Sequence, residues 1–265
     1  MRGYVFSRKQ LAIPYGLFLA CFVALPLIVI IYFAFTNASG EFTIQNLVGF
    51  FTSPNTIGTL CYSFAIAVVT TLVCLLLAYP AAYILSQHEW KHKQLLVILF
   101  VLPMWINFTL RITALKEILS LLEGNLAYYP FLNSVIGMTY DFLPFMILPM
   151  YTTLCKLDHS LLEAAYDLGA TPAQVFCKVT LPLSVPGIVS GVVMVFLPSM
   201  TNYVVLDMLY NHTYIMGSLI GSYFSAYDWH NGSLIALVLL LLILLFTVIT
   251  DRYSDDGVSR GGALL

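Results

Sequence analysis

The chain has 265 residues, 60% of them hydrophobic and 9% charged, with 11 basic and 13 acidic side chains and a net charge of −2. Soluble domains carry about 25% charged residues, so the composition excludes an ordinary soluble fold and points to the bilayer. The near-neutral balance leaves no basic footprint for nucleic acid.

A hydrocarbon core of about 30 Å needs about 20 apolar residues of helix. Six stretches qualify in chain order: residues 11–35, 60–86, 94–115, 133–155, 183–206 and 232–250. Only two hold a charge, Arg111 in the third and Asp141 in the fourth. The first run is too long for the apolar part of a signal peptide and lacks a small-x-small cleavage site, so a retained helix is expected. With the N-terminus in the cytoplasm, nine basic residues fall inside (Arg2, Arg8, Lys9, Lys91, Lys93, Lys156, Lys178, Arg252 and Arg260) and two outside, Arg111 and Lys116. This positive-inside bias places both termini and the 156–182 loop in the cytoplasm. The chain reads as one all-α integral membrane domain over residues 1–265, with a polar, unstructured tail from Asp251.

Nine of the twelve prolines lie within or beside the spans. Each removes a donor, and the freed carbonyls need partners in neighbouring helices or in a wet cavity, which favours a packed bundle over independent anchors. Gly187 and Gly191 stand one turn apart in "GIVSG", a spacing that lets helix backbones approach. The five cysteines form no C-x-x-C pair and are expected to be small buried hydrophobes.

The loop between the fourth and fifth spans, "EAAYDLGATPAQVFCKVTLP" (residues 163–182), is too polar to cross a membrane. Ser160 to Glu163 fits a capping box, with Asp158 as a rival cap. Leu161, Ala165 and Leu168 give the following helix one apolar stripe, and Gly169 stops it. Thr171-Pro172-Ala173-Gln174 starts a second helix, which Leu181-Pro182 is expected to end before the fifth span. This helix–turn–helix needs a partner surface, either the membrane face or a protein.

The stretch resembles the EAA signature of permease subunits of ATP-binding-cassette importers, through Glu163, Ala164, Ala165, Gly169, Leu181 and Pro182. The segments "VLPMWINFTLRITALKEIL", "LPFMILPMYTTLCKLDHSLLEAAYDLGA" and "LPSMTNYVVLDML" are similar to B-type spermidine/putrescine permeases, and the similarity runs from about the second span to the sixth. The resemblance implies a type I importer permease fold of six transmembrane helices in a bacterial inner membrane. It makes the loop a coupling helix docked on a cytoplasmic ATPase dimer. It also implies a second permease subunit as heterodimer partner, an extracytoplasmic substrate-binding protein, and a path for polyamines or, alternatively, another small solute. The chain has no G-x-x-x-x-G-K-[ST], so the P-loop motor is expected to be another polypeptide. No cofactor, metal or catalytic residue is expected.

Other residues invite other readings. His88-Glu89-Trp90-Lys91-His92 spells H-E-x-x-H, the pattern of an intramembrane zinc protease. It falls in a short basic turn, and catalytic zinc needs both histidines on one helix face, a third ligand and an open site. A secondary transporter would show midplane carboxylates and inverted repeats, and neither is evident. Arg111 reads as structural, with Asp141 or Glu117 as partner. Asp207 and Asp141, with Tyr203, Trp105 and Tyr140 as walls, are candidates for a polycation path, because a carboxylate beside aromatic faces suits an ammonium. The same aromatics also fit an ordinary interfacial belt.

Overall fold

The computed structural model describes residues 8–87, 93–209 and 215–262. In chain order the helices are α1 (Arg8–Leu19), α2 (Leu25–Ala34), α3 (Gln45–Thr52), α4 (Pro54–Gln87), α5 (Lys93–Val101), α6 (Phe108–Glu123), α7 (Pro130–Leu154), α8 (His159–Asp167), α9 (Pro172–Val175), α10 (Leu181–Thr201), α11 (Tyr203–Leu209), α12 (Met216–Ser225) and α13 (Trp229–Gly262). Among the described residues, five helices are long and apolar enough to cross a membrane. The bent pair Leu95–Trp105 and Phe108–Glu123 is a sixth if its two helices count as one span. The protein is an all-helical membrane protein.

The chain divides into two compact units, one holding the residues up to Gly58 with Ser218–Leu242, the other Thr59–Gly217 with the chain from Ile243. In the first, α1 and α2 join through a π turn at Ala20–Ala24, and Ile13–Ala34 forms a span exposed along almost its whole length. A tight turn follows, closed by a bridge between Thr36 and Phe42, with the Asn37 side chain accepting from the backbone of Ser39 and Glu41. Asn46 donates back to the carbonyls of Ala34 and Thr36, which fixes the start of α3 against the end of α2.

In the second unit α7 is the most buried span. Its Met138, Met146 and Met150 are buried, in one core cluster with Ile66, Cys74 and Ala78 of α4, Val195 of α10 and Leu206 and Leu209 of α11. The α7–α10 crossing is close because of the two glycines read in the sequence. A Cβ on Gly187 would stand 2.6 Å from Thr153 Oγ1 and 3.0 Å from the Pro149 carbonyl, and one on Gly191 2.6 Å from Met146 Sδ. Of the five cysteines only Cys74 is buried; Cys21, Cys61, Cys155 and Cys177 are exposed, which corrects the buried reading. A thiol on a lipid-facing helix meets surroundings as apolar as a core, so hydrophobicity alone did not decide the side.

Proline chemistry accounts for two further departures. The third span is not one straight helix over 94–115. After α5 the chain tightens into a 3₁₀ turn at Leu102–Trp105, Ile106 is extended, and Asn107 caps α6 by accepting from Leu110 N at 3.3 Å. The Leu95–Trp105 run and α6 therefore meet at 95°. Pro103, which cannot donate, marks the break. At Leu181-Pro182 the reverse holds: no helix ends there. Residues Pro172–Thr201 run on as one 30-residue helix. A π turn at Phe176–Thr180 shifts the ladder by one residue, with the Leu181 N–H donating to the Phe176 carbonyl just ahead of the proline ring that would otherwise crowd it. The polar tail expected to be unstructured continues α13 to Gly262.

Replacing Gly191 by leucine should force α7 and α10 apart and cost about 1–3 kcal/mol, read as a lower midpoint in thermal unfolding of the detergent-solubilised chain. Gly16, where an added Cβ would meet no atom within 4 Å, should accept alanine without such a loss.

Candidate functional site

The 156–182 loop is built from local caps. Asp158, not Ser160, is the N-cap of α8: its Oδ1 accepts from Ser160 N at 2.9 Å. That hydrogen bond holds the Asp158 carboxyl below the usual carboxylate range. Gly169 has φ +81°, with its N–H on the Tyr166 carbonyl and the Ala170 N–H on the Ala165 carbonyl, the paired bonds of a Schellman stop. Thr171 then caps α9 in a complete box: Oγ1 accepts from Gln174 N, and Gln174 Oε1 accepts from Thr171 N. Four residues, Leu168 to Thr171, join the two helices, and caps fix the turn from both sides.

The loop turns apolar groups outward. Leu168 is 89% exposed and Leu161 46%, while Ala165 is half-buried. Glu163 and Ala164 are exposed, and Glu163 has no ion pair among the described residues. Leu181 and Pro182 lie on the exposed side of the helix beyond the π turn.

The inner side of this segment is fixed by residues that the sequence reading missed. The Phe176 ring meets Tyr79 and Tyr83 of α4 edge-on, at centroid distances of 5.8 and 5.4 Å. Tyr79 and Tyr83 are four residues apart on a helix, and that spacing was the available signal.

A second polar cluster lies at the α5–α6 break. Arg111 and Asp141 are both buried and form an ion pair. Arg111 Nη1 also donates to the Pro103 carbonyl at 3.0 Å, and its guanidinium lies 5.9 Å from the Phe108 ring centroid and 5.6 Å from that of Tyr140. Asn202, at the α10–α11 junction, donates to Asp141 Oδ2 at 3.5 Å. Asp141 is thus already neutralised by an arginine, so it is not the free carboxylate its inclusion in a cation path supposed. Trp105 ends the 3₁₀ turn of this break and is 79% exposed. Tyr203 and Asp207 stand one turn apart on α11, both exposed. Tyr140 therefore belongs with Arg111 and Asp141, while Tyr203 and Asp207 share an exposed face of α11.

His88, Glu89 and His92 lie outside the described residues. Among the described residues no three His, Cys, Asp or Glu side chains are grouped to hold a metal.

The spans are all helical, and between the fourth and fifth of them lies a polar loop capped at Asp158 and Thr171. The chain belongs to the family described as "Binding-protein-dependent transport system inner membrane component", whose profile matches residues 76–255. It is 34% identical over 269 residues to the spermidine/putrescine transport system permease protein PotB of Haemophilus influenzae, covering 93% of each chain. It is 33% identical to PotB of Escherichia coli over 258 residues, covering 89% of this chain and 94% of that one. The fold is similar to a chain of a crystal structure of a bacterial importer of the acidic polysaccharide alginate, with a TM-score of 0.72 at 16% identity over 92% of this chain and 94% of that one. A chain of the alginate transporter in complex with its pentasaccharide-bound periplasmic protein gives 0.74 at 14% identity over 94% and 93%. The protein is a permease component of a binding-protein-dependent ATP-binding-cassette importer, a multi-pass inner membrane protein and not an enzyme. Its family implies an ATPase and a binding protein as partners.

Removing one partner of the buried pair, by Arg111→Met or Asp141→Leu, should cost about 3–5 kcal/mol, because the remaining charge is stranded in an apolar core. The double variant should recover most of that loss, measured as the yield and unfolding midpoint of the purified chain.

Proposed function

We propose that this chain forms half of the translocation path of a polyamine importer and takes its power stroke through the 156–182 loop. The carrying observation is the loop itself, a helix–turn–helix locked at Asp158, Gly169 and Thr171 that leaves Leu161, Leu168 and Glu163 outward and unpartnered among the described residues. A loop lying on a membrane has no need of so exact a turn, whereas a knob seated in a groove of a soluble motor does. Glu163, Ala164, Ala165 and Gly169 then form the docking knob, and Leu181 and Pro182 mark where it passes into the span. The motor is a cytoplasmic ATPase dimer, both termini lie on its side of the membrane, and a second permease chain supplies the other half of the path.

Two observations support a cationic cargo. The relatives at about one-third identity are named for spermidine and putrescine, and they match along nine-tenths of the chain. On the proposed topology the outer side carries six carboxylates (Glu41, Glu117, Glu123, Asp141, Asp207 and Asp228) against two bases, Arg111 and Lys116. With Arg111 committed to Asp141, the outer side remains strongly anionic and draws polycations. Asp207 with Tyr203 offers a charge and a ring one turn apart, and Trp105 and Tyr140 present further aromatic surface. Asp141 contributes to the path by holding Arg111 in place.

Gly169→Val, which forces a β-branched residue to φ > 0, and Glu163→Lys should each abolish co-purification of the ATPase with the tagged chain or uncouple its ATP hydrolysis from transport. Normal pull-down and normal uptake by both variants would refute the docking role.

Asp207→Asn should slow spermidine and putrescine uptake into vesicles by roughly 5- to 30-fold, the effect of about 1–2 kcal/mol, while binding-protein docking and assembly persist. Unchanged uptake removes Asp207 from the path, and transport of a neutral solute in place of polyamines overturns the cargo.

A further inference from the structure

We infer that Tyr79 and Ser184, acting on either side of Phe176, are positioning residues for transport: they clamp the π turn beneath the loop so that a displacement of the loop moves α4 and α10 together. The inference rests on the reading of the loop as the ATPase-docking element.

The weak point of the segment is the π turn at Phe176–Thr180, where the helical ladder is shifted to make room for Pro182. π turns in α-helices are local irregularities, and a helix bends most readily where its ladder is irregular. A push on α8 and α9 would be lost in such a bend unless something spans it. Tyr79 spans it. Its ring packs edge-on against Phe176 at an interplanar angle of 86°, at the start of the turn. Its hydroxyl lies 3.0 Å from Ser184 Oγ, four residues past the end.

The direction of that bond is settled by valence. Ser184 has one hydroxyl hydrogen, and it is donated to the Leu181 carbonyl at 2.8 Å. Tyr79 is therefore the donor to Ser184. The chain Tyr79 to Ser184 to Leu181 carbonyl ends within the residues that follow the π turn, in a site where Ser184 is 2% exposed. Val175, just before Phe176, and Thr180, at the end of the turn, are buried as well.

The α4 side has a matching irregularity. Pro80 lies between Tyr79 and Tyr83, so the α4 ladder lacks a donor at the level where Phe176 is gripped. Two helices, each with a defect in its ladder, face one another through three aromatic rings and one hydroxyl pair. Neither defect can bend without disturbing the same contacts, which makes the two spans respond as one to the loop.

The test uses the assembled importer, with its ATPase, second permease and binding protein, in vesicles. Tyr79→Phe keeps the ring and removes the donor; Ser184→Ala removes the acceptor. Each should lower spermidine uptake per ATP hydrolysed by about 2- to 10-fold, the worth of a neutral hydrogen bond. The double variant should fall no further than either single one, because both remove the same bond. ATP hydrolysis and the amount of assembled complex should be retained. An unchanged ratio in both single variants, or multiplicative losses in the double, overturns the inference. So does a loss of assembled complex with the ratio intact, which would mark the contact as packing alone.

Amide hydrogen exchange of the purified chain gives a reading that needs neither the ATPase nor the cargo. Tyr79→Phe should speed exchange across residues 176–184 by a similar factor, and unchanged exchange there refutes the clamp. A wild-type chain that retrieves no ATPase, or takes up no spermidine, while the variant still shows faster exchange, would fault the docking or cargo reading instead.

Discussion

The hydrocarbon interior offers no water, so every backbone group freed by a break in a helix must find a partner within the protein. This chain places proline in every span but the last and meets the demand differently from site to site. At Pro103 the helix gives up, and the carbonyl it leaves is taken by Arg111 and by the Ile106 N–H. At Pro182 the helix persists, because a π turn moves the ladder out of the way. At the end of α10 the Asn202 N–H bonds back to the Pro198 carbonyl while its side chain caps the next helix through Val204 N. The bends of the bundle are where these solutions differ.

The same constraint links the two polar regions. At the α5–α6 break, a guanidinium supplies the missing donor and then needs a counter-charge, which α7 provides in Asp141. Asp141 in turn takes a further donor from Asn202. One proline thus draws in side chains from α6, α7 and the α10–α11 junction. In the loop, caps replace charges: the ends of α8 and α9 lie at water, where a side-chain oxygen or a left-handed glycine is enough.

Much of this was legible in the sequence. Long uncharged runs located the spans, since hydrocarbon admits little else. Gly169 and the Thr171–Gln174 box were readable because capping depends on residues within one turn of each other. Gly187 and Gly191 were readable as a close approach, though not their partners on α7. What failed was long-range or conditional. Asp158 and Ser160 are both competent caps, and only the backbone path selects between them. Leu181-Pro182 looked like an end because proline usually is one, and nothing local announces a π turn. The pairing of Arg111 with Asp141 rather than Glu117 depends on how α6 meets α7. The grip of Tyr79 and Tyr83 on Phe176 joins residues nearly a hundred positions apart.

The Arg111–Asp141 pair also bears on how the chain enters the membrane. On the translocon scale a charge at the centre of an inserting helix costs about 2.5–3.5 kcal/mol; Asp141 lies mid-way along α7, and Arg111 lies in the first turn of α6. The two sit on consecutive long helices, thirty residues apart, with a short link at Leu126–Tyr128 between them. The cost to each falls when the other is beside it. Asp141 in α7 is therefore easier to bury with α6 already beside it, a dependence between neighbouring segments that hydropathy alone would not show.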